Sequence, residues 1–292
     1  MATIIDGREI ARRIKEEVRA HVDGITTSGA PAPRLVSLSS GAGDDAEIYI
    51  KMQQRAAEQV GIEFVRKDLG ENARMADMMA EVKELNADKG TTAIILQKPL
   101  PFNGEHNRIV ACVAPEKDAE GLHPFNLGKI LRKEADIVPC TPGAVMHILK
   151  VSGVELYGKE VVIVGHSEIV GKPLSLMMLN QGATTTVCHI ATAEAGTLTE
   201  HTQGAEILVV AVGKAGLVKE NWVSKGAVVV DVGINSVDGV ITGDVDFEDV
   251  SRKASVITPV PGGVGPVTVA ILMRNVLRAY LRQAPGASSC KA

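Results

Sequence analysis

Aromatic residues are scarce. The chain of 292 residues holds four Phe, three Tyr and one Trp, 3% of the total, although 45% of it is hydrophobic. Its apolar mass is therefore aliphatic. That mix suits buried parallel strands flanked by helices and argues against an aromatic platform for nucleic acid. An excess of positive charge is also lacking. With 31 Lys+Arg against 35 Asp+Glu the formal net charge is -4, which argues against a general polyanion binder. The four cysteines, Cys112, Cys140, Cys188 and Cys290, lie far apart with no CxxC. Neither a zinc knuckle nor a disulfide framework is indicated, and buried reduced thiols are expected, with no metal site. No run reaches the ~18 consecutive apolar residues of a membrane span. Met1 to Asp6 lacks the basic-then-apolar layout of a signal peptide. The expectation is a cytoplasmic protein with no nucleic-acid or membrane partner.

What is present is alternation. The length suggests about two domains. Asp6 to Val22 reads as a helix that Asp6 can cap, with Ile10, Ile14 and Val18 recurring on one face. Strands are predicted at Arg34–Ser39, Ile62–Val65 and Thr92–Leu96, and helices at Ala46–Val60 and Met75–Ala87. Strand-helix-strand repetition implies right-handed crossovers and a parallel sheet. Pro139-Cys140-Thr141-Pro142 marks a connection, followed by a helix from Ala144 to Val151. The pattern then restarts with strands at Glu160–Val164, Thr184–His189, Ile207–Val212, Val228–Val232 and Ser255–Thr258, and a helix from Gly171 to Asn180. A last helix, Val267 to Leu281, is read as packing back on the first half, which makes that domain discontinuous. The tail from Gln283 is expected to be disordered. The fold class expected is two-domain α/β: residues 1–140 with 269–292 in one domain, and 141–268 in a parallel-sheet domain.

The second half carries a dinucleotide signal. The strand Glu160–Val164 runs into Gly165-His166-Ser167-Glu168-Ile169-Val170-Gly171-Lys172-Pro173. Glycines let backbone approach phosphate oxygens, and a helix N-terminus supplies amide donors. The spacing, G-x-x-x-x-x-G, departs from G-x-G-x-x-G, so this loop alone is a weak signal. Val212-Gly213 and Gly233-Ile234 end two further strands, and ligands of open α/β sheets bind beyond such ends. The segment Thr184 to His189 lacks the acid that favours a free ribose 2′-hydroxyl. His166 and His189 are candidates to face a 2′-phosphate, with a surface or capping role as the alternative for each.

These stretches together resemble the methylenetetrahydrofolate dehydrogenase/cyclohydrolase family. Tyr49-Ile50 resembles the start of its catalytic helix. Ile95-Leu96-Gln97-Lys98-Pro99-Leu100-Pro101 resembles V-Q-L-P-L-P, and Pro115-Glu116-Lys117-Asp118-Ala119-Glu120-Gly121, with Asn126 and Gly128 beyond it, resembles P-x-K-D-V-D-G. Pro139 to Pro142 matches P-C-T-P. Gly165 to Pro173 resembles G-R-S-x-I-V-G-x-P, and Thr258-Pro259-Val260-Pro261-Gly262-Gly263-Val264-Gly265-Pro266-Val267-Thr268 resembles T-P-V-P-G-G-V-G-P-M-T. The resemblance covers the chain short of its tail. It implies an N-terminal folate domain, a C-terminal Rossmann-like domain and a cleft between them, in a homodimer. It also implies oxidation of 5,10-methylenetetrahydrofolate with NADP or NAD, then hydration to 10-formyltetrahydrofolate. By this resemblance Tyr49, Gln53, Gln97 and Glu120 are the catalytic set. Tyr49, Lys98, Pro99, Leu100, Glu120, Pro261, Gly262 and Gly263 line the folate. Thr141, Gly165, His166, Ser167, Ile169, Val170, His189, Ile190, Val212, Gly213, Gly233, Ile234 and Thr268 meet the cofactor.

The chain departs from the family pattern at telling positions. The family's Y-V-x-x-K has Lys where Gln53 stands, one helical turn after Tyr49. Lys51 is roughly 200° around the helix from Gln53 and does not simply replace it. Glu120 stands for Asp, and Lys98 for Leu. Hydride transfer needs alignment and no proton-transfer group. Hydrolysis needs protons moved, which an amide cannot do. The expectation is therefore a dehydrogenase with weak or lost cyclohydrolase activity. The alternatives are the full bifunctional enzyme, with Lys98 or water handling protons, and a folate- or nucleotide-binding protein without turnover. His166 for Arg and Ile190 for Ser keep NAD open beside NADP.

Overall fold

The computed structural model describes residues 2–41, 43–100 and 106–284. Pro101, within the stretch that resembles V-Q-L-P-L-P, and Cys290 lie outside the described residues. The chain opens with a short strand, β1 (Thr3–Ile4), and a long helix, α1 (Gly7–Thr27). Then come β2 (Arg34–Ser39), α2 (Asp44–Gln59), β3 (Glu63–Asp68), α3 (Met75–Ala87) and β4 (Ala93–Leu96). Helices α4 (His106–Val110), α5 (Pro124–Leu131) and α6 (Cys140–Val151) follow. The next stretch holds β5 (Glu160–Val164), α7 (Gly171–Leu179), β6 (Thr184–Cys188), α8 (Ile190–Glu194), α9 (Leu198–Gln203) and β7 (Ile207–Val210). The last holds β8 (Val228–Asp231), the hairpin β9 (Asn235–Val237) and β10 (Val240–Thr242), α10 (Phe247–Val250), β11 (Val256–Ile257) and α11 (Val264–Gln283).

Two compact units result. One comprises residues 1–11, 130–134 and 139–268; the other comprises 12–129, 135–138 and 269–292. In the second unit β3, β2 and β4 form a parallel sheet in that order. Every residue of β4 is buried. The sheet packs through Val36, Leu38, Ile94 and Leu96 on Met78, Val82 and Leu85 of α3 and Ile109 and Val110 of α4. A single parallel bridge, Ile94 with Asp118, ties the 115–121 segment to the free edge of β4.

The first unit is a six-stranded sheet in the order β1-β11-β8-β7-β5-β6, with every pairing parallel. Set aside β1, and the chain order across this sheet is 2-1-3-4-5, a doubly wound arrangement. Its winding reverses between β5 and β7, which is where such sheets bind ligands at their carboxyl ends. The segments leaving those ends begin at Gly165 and at Ala211.

Several boundaries differ from the periodicity reading, each for a local reason. Asp6 caps α1 as expected, its Oδ1 accepting from Arg8 N at 3.0 Å and Glu9 N at 3.1 Å. The helix then runs past Val22 to Thr27 because Gly24 alone does not stop it. α6 begins at Cys140 rather than Ala144. Pro142 sits in its first turn, where a missing N–H costs nothing, and Gly143 N already donates to Pro139 O at 2.8 Å. Gln283, read as the start of a disordered tail, ends α11 and donates to Thr92 O at 2.8 Å. By length and composition α11 could cross a membrane, but 67% of its apolar window is buried inside the protein. The first residues, grouped by the sequence reading with 1–140, form the edge strand that pairs Thr3 with Val256.

Gly165 has φ +124°, and a Cβ there would stand 2.3 Å from Ala211 O. A Cβ on Gly171 would stand 1.9 Å from Gly165 O. The two glycines of the loop are thus dictated by backbone meeting backbone. Gly165→Ala is expected to lower stability by about 3 kcal/mol. Urea unfolding of the two proteins measures this.

Candidate functional site

In the second unit the candidate catalytic residues converge at the carboxyl end of β4. Tyr49 and Gln53 lie one turn apart on α2; Tyr49 is partly exposed at 39%, whereas Gln53 is fully buried. Lys51, between them in sequence, is exposed. Gln97, just past β4 and itself buried, donates from Nε2 to Gln53 Oε1 at 2.7 Å and to Ser37 Oγ at 3.0 Å. Gln53 Nε2 is buried with no hydrogen-bond partner among the described residues. A buried amide donor left open costs free energy, so this group is available to a ligand atom. Lys98 and Pro99 are exposed and Leu100 is half-buried.

Glu120 reaches the same neighbourhood from the 115–121 segment. Burial pushes its carboxyl up to about 7. Asp118 adds to the rise, while Lys98 and a hydrogen bond from the Leu96 backbone oppose it. The segment that carries Glu120 is held by two charged anchors that sequence reasoning did not assign. Lys117, buried, donates to the carbonyls of Leu85 and Asn86 at 2.9 Å and of Asp88 at 2.7 Å, closing the C-terminus of α3. Asp118 accepts from Gly121 N at 3.0 Å, His123 N at 2.8 Å and Asn126 Nδ2 at 2.8 Å. Asn126 also donates to Pro115 O at 2.9 Å. The signal for both anchors was thin: four of the seven residues in the 115–121 segment are charged, and such residues are mostly exposed, so nothing in the sequence marks Lys117 and Asp118 as the buried ones.

In the first unit the candidate cofactor residues gather on the loops after β5, β6, β7 and β8. Gly165 is buried, whereas His166, Ser167 and Ile169 are exposed. Ser167 Oγ accepts from Val170 N at 3.1 Å, fixing the entry to α7. The rings of His166 and His189 lie 5.0 Å apart, tilted by 40°. His189 caps α8, its Nδ1 accepting from Ala191 N at 3.3 Å, so the capping and the ring-pair roles coexist. Ile190 is 69% and Ile234 65% exposed. Thr141 lies in the first turn of α6. Thr268 is buried and donates to Val264 O at 3.2 Å within its own helix. Pro261, Gly262 and Gly263 also belong to this unit, in the turn before α11, beside the N-terminus of α1: a Cβ on Gly7 would meet Gly263 O.

Two buried carboxylates organise these loops, and sequence reasoning missed both roles. Asp244, fully buried, accepts from Val212 N at 2.7 Å, Gly213 N at 3.0 Å, Lys214 N at 2.8 Å and Asn235 Nδ2 at 2.9 Å. Asp231 accepts from Gly233 N at 2.9 Å, Asp244 N at 3.0 Å and Val245 N at 2.9 Å. Thr258, which opens the Thr258–Thr268 motif, receives Asp231 N on its hydroxyl at 2.8 Å. Burial raises the Asp231 carboxyl to about 6, against the lowering effect of its three amide donors and with Asp244 adding to the rise.

A carboxyl whose folded pKa lies above its unfolded value of about 3.9 stabilises the fold most below that value, and loses this contribution as pH rises through about 6. Wild-type stability relative to Asp231→Asn should therefore fall by about 2 kcal/mol between pH 4 and pH 7. Urea denaturation at the two pH values reads the difference.

Comparison with known proteins identifies both halves of the chain. Residues 5–120 match the tetrahydrofolate dehydrogenase/cyclohydrolase catalytic domain, and residues 139–284 match the NAD(P)-binding domain of the same proteins. The bifunctional protein FolD of Magnetococcus marinus is 41% identical over 283 residues, covering 97% of this chain and 98% of that one. The FolD structure from Campylobacter jejuni superposes with a TM-score of 0.92 at 38% identity, covering 97% of this chain and all (100%) of that one. The Trypanosoma brucei enzyme, complexed with NADP and an inhibitor, gives 0.90 at 36% identity, covering 96% and 98%. With both domain models matched and near-complete alignment at this identity, the chain belongs to the tetrahydrofolate dehydrogenase/cyclohydrolase family.

Proposed function

We propose that this protein is a bifunctional enzyme. It oxidises 5,10-methylenetetrahydrofolate to the 5,10-methenyl form with NAD(P), then hydrolyses that product to 10-formyltetrahydrofolate. The observation that carries this reading is the near-full-length identity of 41–43% to relatives named bifunctional. The expectation of a weak or lost cyclohydrolase rests on Gln53 alone, and the relatives favour the bifunctional alternative over it.

The residues supply distinct parts of the chemistry. Tyr49 offers its ring as a stacking surface for the folate. Glu120, at the end of β4 beside Lys98, offers a carboxylate to the pterin nitrogens. Bound NAD(P) supplies the hydride acceptor. The nine-residue helix α7 (Gly171–Leu179) turns its N-terminal amides toward the loop from Gly165, a setting suited to a pyrophosphate. His166 and His189 form the polar pair for a ribose 2′-phosphate. This assignment makes NADP the favoured cofactor with NAD as a weaker one. The working form is taken to be a homodimer, as the resemblance implies, and the location is taken to be the cytoplasm, as the sequence reading expects.

Mixing methylenetetrahydrofolate with NADP or NAD, while following nicotinamide and methenyl absorbance together, tests the reading. The expected outcome is nicotinamide reduction with only transient methenyl absorbance. A stable methenyl product means a dehydrogenase alone, and no reduction with either nucleotide means a binding protein. His166→Ala should raise KM for NADP about tenfold, or about 1.4 kcal/mol, with a smaller change for NAD. Equal changes for both would remove His166 from the 2′-phosphate site.

A further inference from the structure

A hydroxyl stands in the middle of the central strand of the three-stranded sheet. Ser37, on β2, is 2% exposed and sits opposite Ile95 of β4. Its neighbours Val36 and Leu38 face α3 and α4, so strand alternation turns Ser37 to the opposite face. A buried hydroxyl is costly unless it is hydrogen-bonded. Ser39 and Ser40, at the end of the strand, spend theirs on the carbonyls of Lys67 and Gly70. Ser37 instead meets a side chain, accepting from Gln97 Nε2 at 3.0 Å. The same nitrogen donates to Gln53 Oε1 at 2.7 Å. Both hydrogens of the Gln97 side-chain amide are thereby taken. The backbone of Gln97 is pinned as well, its N–H bonded to Leu38 O at 2.9 Å. What Gln97 has left to settle is the direction of its terminal amide. The two ends of an amide have nearly the same shape, so packing does not choose between them and hydrogen bonds do.

We propose that Ser37 is a positioning residue that sets the polarity of Gln97 for the hydrolysis step. The proposal rests on the bifunctional reading above. With both amide hydrogens held by Ser37 and Gln53, Gln97 has its carbonyl oxygen left to offer, an acceptor. Water about to attack a methenyl carbon needs an acceptor for one O–H, which aims its oxygen lone pair at the carbon. The water oxygen bonds to that carbon, the carbon-nitrogen π pair moves onto nitrogen, and one proton leaves to solvent. The carbon bond to the pterin ring nitrogen then breaks. That nitrogen takes a proton from solvent, and the hydroxyl proton departs as the formyl C=O forms. One water is consumed and one proton released, with no redox change. This placement requires no titrating side chain, which suits a site with Gln53 in place of a lysine. Hydride transfer forms no bond to oxygen and makes no use of the acceptor. Without the Ser37 hydroxyl, the observed direction of Gln97 leaves a buried N–H open. The reverse direction turns the Gln97 oxygen toward the Gln53 amide, whose Nε2 is otherwise unpartnered among the described residues, and leaves open a lone pair, the cheaper deficit. Gln97 then shows a donor, which holds water by the atom that has to attack.

The test compares full-length wild type, Ser37→Ala and Ser37→Thr, each shown by urea unfolding to be folded under the assay conditions. Hydrolysis of methenyltetrahydrofolate is followed with the blank subtracted, and dehydrogenase kinetics are run on the same preparations. Deuterium exchange of the Gln97 side-chain amide is read by NMR on protein carrying isotope-labelled glutamine, its signal identified by its loss in Gln97→Glu. Ser37→Ala should lower the hydrolysis kcat about 10- to 100-fold. Its hydrolysis KM and its hydride-transfer kcat should stay within about threefold of wild type. Exchange at the Gln97 amide should quicken about tenfold. Ser37→Thr keeps the hydroxyl on a residue suited to a strand, and its hydrolysis kcat should stay within about threefold of wild type, with the slow exchange retained. The proposal is overturned if Ser37→Ala keeps its hydrolysis kcat, or lowers both kcat values by one common factor. It is also overturned if the two variants lose hydrolysis equally, since the hydroxyl is then not what matters. Wild-type hydrolysis no faster than the blank defeats the bifunctional reading and with it the catalytic use of Ser37, whereas the exchange measurement still decides whether Ser37 holds Gln97.

Discussion

Buried carboxylates that accept backbone amides are the constraint on which both candidate sites depend. Asp118 gathers amides from the turn that presents Glu120, and Asp244 gathers three successive amides from the loop after β7. A loop at a strand end has N–H groups with no ladder partner, and burying them open is costly. A carboxylate with four lone-pair sites satisfies several at once and holds their directions fixed. Desolvation of the carboxylate opposes this, and Asp231 carries that cost visibly in a carboxyl raised to about 6. The loops are therefore shaped by acids that need never touch a ligand.

The two units solve the same problem of positioning with opposite materials. The folate-type unit fixes its candidate residues through side chains: Ser37 to Gln97 to Gln53, and Lys117 on the end of α3. The nucleotide-type unit fixes them through backbone, with Gly165 and Gly171 in close approach and Asp244 beneath the next loop. The difference follows the chemistry. Proton transfer needs particular functional groups, whereas a phosphate is met by bare amides.

Much of the scaffold was legible because its signals are local. The runs Arg34–Ser39, Met75–Ala87 and Glu160–Val164 have the observed boundaries, since each is an aliphatic pattern bounded by turn residues. The β9–β10 hairpin went unread although Asp238-Gly239 carries its signal, with φ of 51° and 78°; its strands are too short to show alternation. β1 escaped for the same reason, and because its partner strand is distant in sequence. Among site residues, Gln97, Gln53 and Glu120 were named from motifs, but the hydrogen bond from Gln97 to Gln53 is a tertiary fact. Asp244 was invisible because its partners are backbone amides, which no sequence pattern spells out.

The pairing of Thr3 with Val256 has a consequence for how the molecule is made. β1 leaves the ribosome long before β11 and has to wait for it before it can join its sheet. Closing so long a loop carries an entropic cost that grows slowly with length, yet the rate of forming such distant contacts is what slows folding. During synthesis, Ile4 and its neighbours remain without their ladder while β2, β3 and β4 assemble from nearby sequence. The six-stranded sheet is thus finished at its edge by a strand made long before its partner, a late seal on a body already formed.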